Sequence, residues 1–249
     1  MKYFNQNDYG NVPYPGPSAP KATVKSGGCG PTTAAMIISN LTGKVVDPKA
    51  MAAYAIEIGA RVSGGTNLHT LAKGLIGQYG LTYTTTNDEA VLLEHLRSGG
   101  MAIANVGGDR PGYKGVFSDG GHYVVVAGIA QDGRIVVLDP GYYAGKFNRS
   151  GRKGKVTVSG NKCLCSMSVL GQDTANRNPG YYLFAKAGTE KEEDKVVYKT
   201  INDVPAWGKP LIQKLVTRKT LVGDGKGNLN ITEDMLRILK ILEVEGVIR

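Results

Sequence analysis

The sequence predicts an α+β fold in which helices come first, an antiparallel sheet follows and a small helical unit closes the chain. Three observations carry this reading. Apolar residues recur at helical spacing between residues 32 and 97, and short Val/Ile-rich runs begin only after Gly99-Gly100. Two amphipathic segments lie beyond a charged run that lacks apolar anchors. With 249 residues, 41% hydrophobic and 20% charged, the chain supports one sizeable core and a small appendage. No apolar run approaches the roughly 18 residues that would span a bilayer.

Residues 10 to 31 hold five of the eleven prolines and several glycines, which predicts an extended loop with little regular structure. That loop runs into Gly27-Gly28-Cys29-Gly30-Pro31. From Thr32 the run Thr-Thr-Ala-Ala-Met-Ile-Ile-Ser-Asn-Leu reads as a helix, with Pro31 suited to its first turn and Gly43 to its end, so Cys29 falls at a helix N-terminus. Further helices are expected at Pro48 to Ile58, Leu68 to Tyr79 and Glu89 to Arg97. Strands are expected at Met101 to Val106, Tyr123 to Ile129, Arg134 to Leu138 and Gly180 to Ala185. The turn Gln131-Asp132-Gly133 makes the second and third of these an antiparallel hairpin. The charged run from Thr189 to Lys195 reads as a linker or a solvated helix end. It gives domains of residues 1–188 and 197–249 separated by a linker at 189–196. Pro205 to Val216 and Thr232 to Val244 are the two helices of the second domain.

Three cysteines in a long chain argue against a disulfide framework and leave at least one thiol free. The first ten residues are polar and lack the basic start and apolar stretch of a secretory leader. Synthesis in a host cytoplasm, with release by another agent, is therefore expected. The net charge of +9 divides as +8 over residues 1–188 and +1 over the remainder. A basic body attracts nucleic acid, anionic lipid or an anionic cell wall, or serves solubility alone, and charge does not choose among these.

A cysteine at a helix start is chemically distinct, because the helix dipole and unpaired N–H groups favour the thiolate. Flanking glycines at 27, 28 and 30 leave room for a substrate backbone, although the same segment also reads as a small buried turn. His122, in Gly120-Gly121-His122-Tyr123, opens an apolar strand at a sheet edge. Asp139 ends the partner strand in Val136-Val137-Leu138-Asp139-Pro140. Counted from the turn, the two lie toward the same end of the hairpin, so Asp139 either orients the imidazole or caps the Pro140-Gly141 turn. His69 and His95 read as ordinary helix histidines. Cys163 and Cys165 share a strand face without the second Cys or His pair that zinc requires, and no metal is expected. The loop Gly223-Asp224-Gly225-Lys226-Gly227-Asn228 fails as a calcium loop, because Leu229 and Met235 occupy the required Gly and Glu positions. It also lacks the Gly-Lys-Ser/Thr of a phosphate loop.

Gln6, the Ser26 to Thr32 segment interrupted by Gly28, Gly120 to Tyr123 and Leu138 to Pro140 together resemble the papain-like cysteine peptidases related to the double-glycine bacteriocin-processing enzymes. The resemblance covers about residues 1–187. It implies a papain-like fold, Cys29 as nucleophile, His122 as general base and acid, and Asp139 as the orienting residue. Gln6 would then donate to the oxyanion beside the Cys29 N–H. The stretch from Ile201 to Arg237 is similar to a module at the C-terminus of bacteriophage lytic enzymes and, loosely, to a single S-layer homology repeat. A small stabilising or dimerising appendage is the other reading of that stretch. Together these resemblances imply an endolysin that cleaves peptides of peptidoglycan. Such an enzyme would need no cofactor and no nucleic-acid partner, and a wall glycopolymer would be the ligand of the tail. An N-acetylmuramoyl-L-alanine amidase, a leader-processing peptidase and an inactive wall-binding protein are the alternatives.

Overall fold

The computed structural model describes residues 1–188, 196–225 and 227–248. The chain divides into two compact units, Met1–Glu190 and Lys191–Arg249. The charged run from Thr189 to Lys195 lies outside the described residues, and of the expected linker only Val196 is described.

In the first unit, a turn of 3-10 helix at Gln6–Tyr9 leads into the proline-rich stretch. A bridge between Pro13 and Thr23 ties that stretch together. It ends in a one-turn helix, α1 (Val24–Gly27), where the sequence suggested only loop. Helix α2 (Cys29–Thr42) starts directly after Gly28, carries Pro31 in its first turn and stops at Gly43, whose φ of +75° suits a residue without Cβ. Ala34 to Ile38 of α2 are fully buried, each Ile or Met contributing about 1.5–3 kcal/mol of burial. Helix α3 (Pro48–Glu57) is capped by Asp47, which accepts from the Ala50 N–H. A small hairpin, β1 (Arg61–Val62) and β2 (Gly65–Thr66), precedes α4 (Leu68–Tyr79), which runs from an Asn67 cap to a left-handed Gly80. Strand β3 (Leu81–Thr86) and helix α5 (Glu89–Arg97) follow.

The remaining strands are β4 (Met101–Val106), β5 (His122–Ile129), β6 (Ile135–Leu138), β7 (Thr157–Ser159) and β8 (Lys162–Cys165). Helix α6 (Met167–Thr174) then leads to β9 (Tyr181–Lys186). Seven of these strands form one sheet, ordered β3-β9-β4-β5-β6-β8-β7 and antiparallel at every pairing. Ile103, Val125 and Leu138 on one face join a core with residues of α2, α3 and α4. Ala104, Val124, Val126 and Val137 on the other face join Leu92 and Leu96 of α5 and Leu170 of α6. Covered on both sides, β6 and the first four residues of β4 read as continuous apolar runs rather than alternating ones. Helices thus lie on both faces of the sheet, and α5, read with the leading helices, crosses to the far face.

The second unit carries the two expected helices, α7 (Lys209–Thr217) and α8 (Glu233–Val244). α7 starts four residues later than the sequence suggested, because Pro205 to Gly208 form turns. A two-residue pairing of β10 (Val197–Tyr198) with β11 (Ile231–Thr232) adds a small sheet to what the sequence presents as purely helical. Its core is Val204, Leu211, Ile212, Leu215, Ile231 and Leu236. Among the described residues, no helix is long and apolar enough to cross a membrane.

Candidate active site

Cys29 is the first residue of α2 and is partly exposed. His122 is the first residue of β5, and Asp139 follows the last residue of β6. The β5–β6 register, with Val125 opposite Leu138 and a bulge between Val126 and Gly128, brings the imidazole and the carboxylate to the same end of the hairpin. His122 Nε2 lies 2.9 Å from Asp139 Oδ1. The opposite ring nitrogen, Nδ1, is left for the hydrogen bond to the Cys29 sulfur. The structure thus gathers the three residues singled out from the sequence into one line.

The electrostatics of that line oppose burial and overcome it. Burial pushes the Cys29 thiol up, but the hydrogen bond and charge of His122, with backbone N–H groups of Tyr123 and Gly30, hold it below the ordinary thiol value. Burial pulls His122 down, yet the Asp139 and Cys29 hydrogen bonds and charges raise it to about 9. Burial would raise Asp139, but His122 and then Lys146 bring it down to about 2. Both shifts favour the thiolate–imidazolium form of the pair over the neutral one.

Asp139 is fully buried and uses both oxygens. Oδ1 also accepts the Gly141 N–H at 2.8 Å, so the residue orients the histidine and caps the Pro140-Gly141 turn at once. Oδ2 accepts from Lys146 Nζ at 2.5 Å. The Tyr3 hydroxyl donates to the Asp139 carbonyl at 2.8 Å, tying the N-terminal segment to the site. Neither Tyr3 nor Lys146 was singled out from the sequence, since both contacts are tertiary and no local pattern marks them.

Gln6 is buried. Its backbone N–H donates to the Pro140 carbonyl at 2.7 Å and its Nε2 to the Lys25 carbonyl at 2.8 Å. One of the two amide N–H bonds is therefore committed to α1, just ahead of Cys29. Its Oε1 is buried without a partner among the described residues. Two of the three glycines around Cys29 lie against the protein's own atoms. A Cβ at Gly28 would meet the Val24 carbonyl oxygen at 2.6 Å, and one at Gly30 would meet Thr66 at 2.5 Å. They admit the protein's own neighbouring atoms.

The remaining candidates stand apart. His69 Nδ1 lies 2.7 Å from the Tyr83 hydroxyl, and His95 Nε2 lies 2.9 Å from the Phe184 carbonyl oxygen, so both have structural partners. Cys163 and Cys165 are buried in β8, where burial pushes each thiol up to about 12. In the 223–228 loop, Asp224 accepts from the Asn228 backbone and side chain. No group of three metal-ligating side chains gathers among the described residues.

A cysteine at a helix N-terminus, in line with a histidine and a carboxylate on an antiparallel sheet, fits the class: a cysteine peptidase with a papain-like fold. The chain belongs to the Peptidase_C39 like family, whose model matches residues 1–156. A solved chain from Bacillus anthracis, described as a candidate C39-like peptidase, is similar at 15% identity with a TM-score of 0.44, covering 71% of this chain and 96% of that one. None of the curated proteins matches the sequence.

Proposed function

We propose that this cysteine peptidase is a peptidoglycan hydrolase of endolysin type that cleaves peptide bonds of the bacterial cell wall. The Cys29–His122–Asp139 line is the observation that supports the chemistry. The Cys29 thiolate attacks the peptide carbonyl carbon, and the oxyanion is received by the Cys29 backbone N–H and the Gln6 side-chain amide. His122 then gives its proton to the departing amine, the C–N bond breaks, and a thioester remains. Neutral His122 takes a proton from water, which hydrolyses the thioester and restores the thiolate.

The wall as substrate is supported by the basic body, +8 over residues 1–188, and by the character of the second unit. Trp207, Ile241 and Val244 are 44%, 60% and 73% exposed. They line a groove of ≈ 570 Å³ together with Arg237, Lys240 and Glu245. Arg237 and Lys240 are paired within α8 to Glu233 and Glu243, so the groove offers apolar side chains beside two paired cations and the Glu245 carboxylate, a surface suited to a sugar polymer. The domain division at residues 189–196 belongs to the same proposal. Mass spectrometry of fragments released from purified walls tests it: new peptide termini support the endopeptidase, free muramic-linked lactyl ends transfer the reading to an amidase, and intact walls beside a cleaved double-glycine leader peptide overturn it. For the second unit, Trp207→Ala is expected to lower wall binding about tenfold without changing turnover of a soluble peptide, and equal binding would remove the groove from the account.

A further inference from the structure

Lys146 is a lysine with almost no exposed surface, at 4%. It opens a 3-10 turn at Lys146–Asn148 that starts from a left-handed Gly145. The next residue, Phe147, fixes that turn by stacking on Tyr142 and meeting Phe117 edge-on, with ring centroids 6.1 Å and 5.6 Å apart. The ammonium so placed reaches Asp139 Oδ2 at 2.5 Å and the Gly141 carbonyl at 3.3 Å. Removing a lysine from water costs several kcal/mol, and a buried ion pair seldom returns more than that cost. A structural role alone is therefore a poor account of it, whereas a role at Asp139, its only charged partner among the described residues, is a good one.

We infer that Lys146 is a positioning residue of the catalytic line: it holds Asp139 by Oδ2 so that Oδ1 stays aimed at His122 Nε2, and it balances the carboxylate charge. The inference rests on the peptidase reading and specifies how its third member is held. The charge count shows why this matters. Asp139 and Lys146 form one neutral pair, and the Cys29 thiolate and His122 imidazolium form a second. Without Lys146 the buried site would carry a net negative charge, and every proton in it would be held more tightly. The other titratable groups facing Asp139 are Tyr3 from the N-terminal segment and Cys163 of β8, both held neutral by burial and by the Asp139 charge, so neither replaces the ammonium.

The test is the pH dependence of iodoacetamide alkylation at Cys29 in the full chain, followed by peptide mass, alongside turnover of a wall peptide. In Lys146→Met, both the rise that reports thiolate formation and the later rise that reports loss of the imidazolium proton are expected to move up by about one pH unit. At a pH on the acid side of the unaltered chain's thiolate transition, alkylation and turnover should then fall roughly tenfold. Lys146→Arg, which keeps the charge, should leave both positions near those of the unaltered chain even if the larger group lowers stability. A Lys146→Met chain with unshifted limbs and merely lower activity makes Lys146 structural and overturns the inference. Alkylation needs no substrate, so limbs that shift as expected in a chain that cleaves no wall peptide would sink the wall assignment and keep this one.

Discussion

Cys29 and the pair Cys163 and Cys165 are the same chemical group in one folded unit, and the protein treats them oppositely. At the start of α2 the sulfur meets an imidazole and two backbone N–H groups and is held below the ordinary thiol value. In β8 the two sulfurs meet Val, Phe and Leu side chains, and burial carries each up to about 12. What separates a nucleophile from a small apolar side chain is thus the supply of donors and positive charge around it, since burial acts in the same direction on all three.

The strongest way to break this contrast is Cys29→Ala. Turnover of wall peptides should fall by about 10⁶, with the fold retained by circular dichroism, because nucleophile and base act as one unit. Activity left above about 1% would place the nucleophile elsewhere. Asp139→Ala should lose about 10² to 10⁴ in rate as His122 loses its orienting partner. A fully active variant would reduce Asp139 to the cap of its turn, a role its bond to the Gly141 N–H already shows it can fill. Gln6→Ala is expected to cost about 10² to 10³ in kcat with little change in KM, the pattern of a lost oxyanion donor. A change in KM alone would instead make Gln6 a clamp on α1. Cys165→Ala stands at the small end: activity within about twofold, and roughly 1 kcal/mol less stability by thermal unfolding.

The contrast also predicts a pH dependence of stability. The folded pKa of His122 is raised, to about 9, so the stabilisation it contributes is full below its unfolded value, about 6.5, and declines as pH rises toward 9. Asp139 is depressed, to about 2, so its contribution is complete above about pH 4 and is lost as pH falls toward 2. In His122→Ala the alkaline decline between those values should flatten, as read by denaturant unfolding across pH, whereas an unchanged slope would assign it to another group.

Much of this arrangement was legible in the sequence, for reasons that particular residues illustrate. Helix α4 follows its expected span because periodic apolar residues sit between an Asn67 cap and a Gly80 stop, all local signals. The placement of His122 and Asp139 followed from counting outward from one turn, and the Gly128 bulge shifts the register without separating them. Strand β3 was not legible, since Leu-Thr-Tyr-Thr-Thr-Thr is polar and half exposed and becomes a strand only by pairing with β9. The short β7 and helix α6 likewise lack strong local signals. Lys146 was hidden for a similar reason. A lysine among glycines and tyrosines reads as a solvated turn, and only the stacking of Phe147 beneath Tyr142 turns it inward. The glycines at 28 and 30 were legible as a close approach, but the partner of that approach, Val24 or Thr66, was not.

The most direct test of the thiolate–imidazolium pair is brief alkylation with iodoacetamide at about pH 6, well below the ordinary thiol pKa of about 8.5, with the modified peptides identified by mass. The account predicts a label on Cys29 alone, lost in His122→Ala, with Cys163 and Cys165 modified only after unfolding. A Cys29 that reacts only as pH approaches its ordinary value, or that labels equally without His122, would contradict it.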